Sequence, residues 1–255
     1  MARDMEKYLR PEVKTTPFCP GCGHGILMGL LLRAVDELRL DMKKVLFASG
    51  IGCAAWIPSP NFKADTLHTL HGRAVPFATG AKTFNPELTT IIISGDGDLA
   101  SIGGNHLIHA ARRNTDLTVI CANNMIYGMT GGQLACTTPL GATTSTYTDG
   151  NPYRPFDMVK LMAGAGAVYV ARYAVTQPLS MIAAIKRAVS IEGFTFVEAL
   201  SPCPTQFGRR NQYTSPDKMI EMLRTQCVSR EEAEGMSREE MEDKIVTGVF
   251  VDGAC

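Results

Sequence analysis

The sequence predicts an α/β protein built on one doubly wound parallel sheet, and three observations carry that expectation. Runs such as Thr89–Ser94 (TTIIIS) and Leu117–Ala122 (LTVICA) are apolar at their centres, as strands covered on both faces must be. Stretches with apolar residues at helical spacing lie between them. Strand and helix then alternate along most of the chain, the order that a parallel sheet with crossover helices requires.

Taken in order, Gly25–Leu40 (GILMGLLLRAVDELRL) has a helical period with polar residues gathering toward its end. Val45–Ala48 is a short buried strand running into a glycine-broken turn, Ser49-Gly-Ile-Gly-Cys53. His71–Lys82 reads as a helix of small residues, followed by the strand Thr89–Ser94, a helix over Ile102–Arg113 and the strand Leu117–Ala122. Between Tyr127 and Arg154 Gly, Thr and Pro dominate and no period survives; a loop of that length inside a compact domain is functional or covered by a partner. Val168–Ala171 and Phe194–Leu200 are strands on either side of a helix at Pro178–Ile191. These elements place one domain over residues 1–212. Residues 213–255 form a polar tail in which Ser229-Arg-Glu-Glu232 and Ser237-Arg-Glu-Glu240 match the capping box, so the tail is expected to be helical.

The 255 residues are 45% hydrophobic and 20% charged, enough for a real core, which excludes a disordered or collagen-like chain and a small disulfide-stapled module. Twenty-five basic side chains balance 25 acidic ones, so no net field draws the chain to nucleic acid or anionic lipid. The longest apolar run, around Ile26–Leu32, is far short of a membrane span. The opening residues MARDMEKYLRPEVK have no apolar segment behind their charges, so a cytoplasmic protein is expected rather than a secreted one.

The strand over residues 91–94 delivers the turn Gly95-Asp96-Gly97-Asp98. Glycines there let backbone N–H groups approach a phosphate, and Gly95-x-Gly97-x-x-Ala100 satisfies a loose dinucleotide fingerprint. Two carboxylates beside a pyrophosphate repel it, however, unless a divalent cation stands between them, and the next strand ends in Asn123-Asn124 rather than the usual acidic residue. A nucleotide-dependent dehydrogenase is therefore disfavoured. A carboxylate, a carboxamide oxygen and a nearby carbonyl, completed by two phosphate oxygens and water, make an octahedral Mg²⁺ site. Asp96 and Asn124 end consecutive strands, which would bring them together across a crevice.

Eight cysteines in a chain expected in a reducing compartment point to metal or redox chemistry before disulfides. Cys19-Pro-Gly-Cys22 puts two thiolates on one side of a tight turn; Cys53 and Cys203 each follow a strand and would emerge at the same sheet edge as Asp96 and Asn124. Four thiolates suit zinc or an iron–sulfur cluster, and a redox C-x-x-C disulfide is a third possibility that spacing leaves open. Cys121 reads as a core residue; Cys136, Cys227, Cys255, His106 and His109 receive no role.

Gly-Asp-Gly followed by Asn-Asn resembles the thiamine diphosphate motif. That resemblance makes Asp96 and Asn124 side-chain ligands of Mg²⁺, Ile126 a ligand through its carbonyl, and Gly97, Asp98, Gly128 and Met129 backbone holders of the diphosphate. Further motifs are Cys19-Pro-Gly-Cys22-Gly-His, Ser49-Gly-Ile-Gly-Cys53, His68-Thr-Leu-His71-Gly-Arg73-Ala, Tyr127-Gly-Met-Thr-Gly-Gly-Gln133 and Ser201-Pro-Cys203-Pro-Thr. Together they resemble, in order from about Arg10 to Arg210, the β subunit of 2-oxoacid:ferredoxin oxidoreductases.

The resemblance implies the diphosphate-binding half of the thiamine-diphosphate fold, with a [4Fe–4S] cluster on Cys19, Cys22, Cys53 and Cys203. It implies a thiamine site lined by Ile51, Gly52, Cys53, Ala54 and His71, with His71 and Arg73 as catalytic candidates. The implied reaction converts a 2-oxoacid, coenzyme A and oxidised ferredoxin to acyl-CoA, CO₂ and reduced ferredoxin. The pyrimidine-binding half would come from an α subunit, with γ and δ subunits in larger assemblies. Length and Phe207-Gly-Arg-Arg-Asn211 look most like 2-oxoglutarate synthase, for which Arg73, Arg154, Arg209 and Arg210 are candidates to meet a distal carboxylate; pyruvate and branched-chain 2-oxoacids are the alternatives. The rival from another class is a zinc-stabilised binding subunit without catalysis.

Overall fold

A computed structural model of the chain describes residues 5–213 and 215–253; Cys255 lies outside them. Its frame is an eight-stranded sheet with β1 (Val45–Ser49), β2 (Asp65–His68), β3 (Thr89–Gly95), β4 (Leu117–Asn123), β5 (Tyr169–Ala174), β6 (Phe194–Leu200), β7 (Cys227–Ser229) and β8 (Ile245–Asp252). Their order across the sheet is β2-β1-β3-β4-β6-β5-β8-β7. The first six run parallel, and β8 joins β5 antiparallel.

The central strands alternate as the pleat demands. Ile91 and Ile93 of β3, Ile120 and Ala122 of β4, and Val197 and Ala199 of β6 face one core, which α1 (Gly23–Leu38) and α5 (Pro178–Ser190) cover. Ile92, Val119, Cys121 and Phe196 face the other, covered by α2 (Ala74–Phe84), α3 (Gly104–Arg112) and α4 (Met158–Gly164). Both faces are thus buried, which is why these strands read as continuous apolar runs, and Cys121 is the core residue expected.

Three elements differ from the sequence reading. The half-exposed edge strand β2 (DTLH) is too short and polar to announce itself. The helix α4 is only seven residues long and lacks a full helical period. The segment beyond residue 213 does carry helices, α6 (Pro216–Gln226) and α7 (Arg230–Glu234), each capped by the serine before it. It is not only helical: β7 and β8 return the chain to the sheet. Both capping boxes form, but the one at Ser237 closes a turn with no helix after it. Among the described residues no helix is long and apolar enough to cross a membrane.

Because β1, β3, β4 and β6 are adjacent and parallel, their carboxyl ends open at one edge of the sheet. In an open α/β sheet this is where ligands bind.

Candidate active site

A cleft at that edge is lined by Ile51, Gly52, Cys53 and Ala54 after β1, by His71, by Gly95–Asp98 after β3, and by Asn124 and Ile126–Thr130 after β4. Every residue expected to hold the cofactor or Mg²⁺ is among them. The exception among the site candidates outside the cysteine set is Arg73, which caps α2 and turns its guanidinium onto the Gly72 carbonyl at 3.1 Å rather than into the cleft. His24, Gly95, Tyr127 and Thr130 line the cleft without having been singled out as site residues.

The two aspartates of the glycine turn are built for different work. Asp98 is buried, and its carboxylate accepts from the backbone N–H of Ile51 (3.0 Å) and Gly72 (2.7 Å), from the Ser94 hydroxyl (2.8 Å), and pairs with His71 Nδ1 at 2.6 Å. Saturated in this way, it staples the loops after β1 and β2 to the turn after β3. The sequence argument that both carboxylates crowd the same anion is therefore corrected: the Asp98 side chain is consumed by the protein.

Asp96 is equally buried but far less satisfied. It accepts from the Thr137 hydroxyl and, at 3.4 Å, from the Asn124 N–H, and burial pushes its carboxyl up to about 6 from an ordinary 3.8. A desolvated carboxylate short of partners is what a cation site offers before it is filled. The Asn124 contact also joins the ends of β3 and β4, as their pairing register Gly95 to Ala122 requires. Asn124 Oδ1 in turn accepts from the Ile126 N–H at 3.2 Å.

Thr137 and Thr138 show what the aperiodic segment does. Thr138 Oγ1 donates to the Met125 carbonyl at 2.7 Å, and Asn151 holds the segment together through the Thr138 carbonyl. The stretch that lacks any period is thus pinned to the turns after β3 and β4 by buried hydroxyls. Threonine pairs at 137–138 and 143–144 were its sequence signal.

The four cysteines converge. The Cys22 N–H closes a turn onto the Cys19 carbonyl at 3.0 Å, and the Gly23 N–H donates to the Pro202 carbonyl at 2.9 Å, which docks the N-terminal turn beside Cys203. Only glycine permits that approach, since a Cβ at position 23 would sit 2.4 Å from the Pro202 ring. Burial, and then the charges of Cys203, Cys53 and Cys19, push the Cys22 thiol up to about 12; burial and the charges of Cys203 and Cys19 bring Cys53 to about 11. A methyl group placed on Gly128 would lie 3.5 Å from Cys203 Sγ, 3.8 Å from Cys53 Sγ and 3.5 Å from Asn124 Nδ2, so two of the sulfurs and the Asn124 amide share a corner. One zinc ion draws its sulfurs to about 3.8 Å from one another, given a Zn–S bond of about 2.3 Å. Among the described residues no three His, Cys, Asp or Glu groups are gathered closely enough for a single ion.

Two residues complete the walls. His24 is buried with Nδ1 2.7 Å from the Ser201 hydroxyl, and burial holds its imidazole down to about 4, hence neutral. Tyr127 donates its hydroxyl to the Gly97 carbonyl at 3.0 Å and packs edge-on against His71. Of the other arginines named for a distal carboxylate, Arg210 donates to the Gly131 carbonyl at 3.0 Å and Arg154 lines a separate hollow with Tyr153 and Phe156.

Comparison with known proteins bears on this cleft directly. Residues 50–199 match the C-terminal thiamine pyrophosphate-binding domain of thiamine pyrophosphate enzymes. The chain is 46% identical over 246 residues to 2-oxoglutarate synthase subunit KorB of Methanothermobacter marburgensis, covering 96% of this chain and 86% of that one. It is 45% identical to KorB of Methanocaldococcus jannaschii over 96% and 91% of the two chains. A solved 2-oxoglutarate:ferredoxin oxidoreductase from Magnetococcus marinus, with 2-oxoglutarate, coenzyme A and succinyl-CoA bound, superposes with a TM-score of 0.86 at 33% identity, covering all of this chain and 86% of that one.

Proposed function

The chain belongs to the 2-oxoglutarate synthase β subunits, and from that premise we propose that it carries the cofactor-binding cleft of an enzyme that converts 2-oxoglutarate, coenzyme A and oxidised ferredoxin to succinyl-CoA, CO₂ and reduced ferredoxin. The observation that carries the reading is the corner at Gly128, where the Asn124 side chain and two cysteine sulfurs lie within contact of one point.

The residues present fit the implied groups. Asp96 and Asn124 side-chain oxygens and the Ile126 carbonyl are hard donors suited to Mg²⁺. Gly97, Asp98, Gly128 and Met129 offer backbone groups to a diphosphate, and Ile51, Gly52, Cys53, Ala54 and His71 would wall the thiamine ring. Cys19, Cys22, Cys53 and Cys203 match the four thiolates of a [4Fe–4S] cluster. Bound there, thiamine diphosphate supplies the electron sink for loss of CO₂, and the cluster a one-electron acceptor.

The chain's own groups would prepare that chemistry. The Asp96 carboxylate, raised by burial, exchanges its desolvation for a cation's charge. The Asp98 carboxylate, 2.6 Å from His71 Nδ1, fixes the imidazole with a proton on Nδ1, so Nε2 can accept or hold a proton at the cleft. Ile51 and Met129 at the cleft and the neighbouring Leu70 are exposed apolar side chains, which suit a partner subunit closing over the mouth. We assign that covering to an α subunit bearing the pyrimidine-binding half; the isolated chain then turns over no substrate.

The test is anaerobic turnover of the co-purified complex with coenzyme A and a ferredoxin, comparing 2-oxoglutarate, pyruvate and 2-oxoisovalerate. Preference for 2-oxoglutarate is expected. Preference for either other acid would overturn the substrate, and a colourless, inactive complex with one zinc per chain would overturn the reaction.

A further inference from the structure

Beneath the metal turn lies a buried chain of polar groups that the proposed chemistry does not use. Glu198 sits in the middle of β6, 2% exposed. Its Oε1 accepts from Asn123 Nδ2 at 2.7 Å and its Oε2 from Arg172 Nε at 2.6 Å. Arg172 reaches on to Asp157 Oδ1 at 2.6 Å. An ionised carboxylate only accepts hydrogen bonds, so it dictates which end of the Asn123 amide faces it. Oδ1 is thereby turned upward, where it accepts from the Met125 N–H at 2.9 Å.

Met125 is the residue between Asn124 and Ile126, and it holds φ at +64°, a left-handed conformation that a side chain of its size seldom adopts. Its carbonyl is fixed from the other side by Thr138 Oγ1 at 2.7 Å. One strained residue is thus clamped at both its N–H and its C=O, and its conformation sets the direction in which its two neighbours present their oxygens.

We propose that Glu198, acting through Asn123, and Thr138 are positioning residues that hold the Asn124–Ile126 turn ready for the dication before it arrives. The inference rests on the Mg²⁺ reading of that turn. It makes a particular demand: the polarity of the 123–198 pair matters and its identity does not. Asn123→Asp alone sets two carboxylates against each other. Glu198→Gln alone points an amide donor at Asn123 or at Arg172. The two together rebuild every bond, with donor and acceptor exchanged only between positions 123 and 198, since the glutamine amide can donate to the new carboxylate and its oxygen still accepts from Arg172.

The experiment measures the Mg²⁺ concentration that half-saturates thiamine diphosphate binding to the assembled, cofactor-stripped complex by calorimetry, with iron content alongside. Each single variant is expected to raise that concentration on the order of tenfold, the usual effect of losing a group that orients a metal ligand, with the double variant close to wild type. Single variants that bind as wild type, or a double variant no better than the singles, would overturn the proposal. Where a charged variant fails to assemble, the neutral Thr138→Val decides alone: a raised requirement supports the clamp and an unchanged one refutes it. Asn124→Ala separates the two levels. If it too binds as wild type, the Mg²⁺ reading of the turn has failed; if it loses binding while the clamp variants do not, only the positioning role has.

Discussion

The two flanks of the cleft are assembled by opposite means. On the oxygen flank the donors come from two neighbouring strand ends. Their orientation is fixed by protein hydrogen bonds: Asn123, Thr137 and Thr138 brace the turn, and Asp98 staples the loops around it. On the sulfur flank the thiols come from three segments far apart in the chain, brought together by the docking of the N-terminal turn on the Pro202 carbonyl. The contrast follows from ligand chemistry. A hard dication binds weakly to flexible oxygens and needs them preset. Thiolates bind metal strongly enough to draw their segments together, so the metal binding proposed for the four cysteines would also contribute folding free energy.

The flanks are therefore expected to fail separately, with the largest effect at Asp96. Asp96→Ala is expected to weaken Mg²⁺-dependent thiamine diphosphate binding on the order of 100-fold or more, above the range for orienting groups, while iron content stays at the wild-type level. Cys203→Ala is expected to lose the iron while thiamine diphosphate binding changes less than about tenfold, because its sulfur is not among the oxygen donors. Iron lost in the first variant, or diphosphate binding lost in the second, would break the comparison.

A smaller effect separates the two aspartates. Asp98→Ala strips four donors of their buried acceptor and is expected to cost about 3 kcal/mol of stability in a denaturant titration. Asp96→Asn, by contrast, is expected to leave the metal-free protein as stable as wild type or more so, because it relieves a buried and poorly partnered charge. Equal losses at the two positions would show that the turn has no division of labour.

The smallest prediction concerns acid. Burial raises the Asp157 carboxyl, but the charge and hydrogen bond of Arg172, with Lys160, outweigh it and leave it below the ordinary 3.8. A carboxyl lowered in the native state adds stability above its unfolded value and loses it as pH falls through the native one. Asp157→Asn is therefore expected to lower the midpoint of thermal unfolding at pH 7 by about 2 °C, modest because the group is part-exposed. The gap should begin to narrow near pH 4, where the unfolded acid takes up its proton, and close as pH falls through the lower native value. A gap that persists in strong acid would place the effect elsewhere.

Local patterns made much of this legible. Fully apolar runs announce strands buried on both faces, and glycine turns at their ends announce a ligand edge, so the sheet core and the meeting of Asp96 with Asn124 followed from spacing. Edge and tail elements did not. The strand β2 is polar because one side of it has no neighbour, and β8 reads as part of a polar tail because its partner β5 lies more than 70 residues away.

The sequence by itself determined which residues gather at the carboxyl edge of the sheet, since strand order and a period of two leave few other arrangements. Only the tertiary structure decided what each does there. Asp96 and Asp98 are indistinguishable as letters, yet one meets four donors and the other two. Arg73 stands in the His71 motif but turns to a neighbouring carbonyl, and Glu198, one acidic letter in an apolar strand, underlies the turn after β4. Hydrogen bonds depend on ångström distances between segments that are remote in sequence, and no local period encodes those distances.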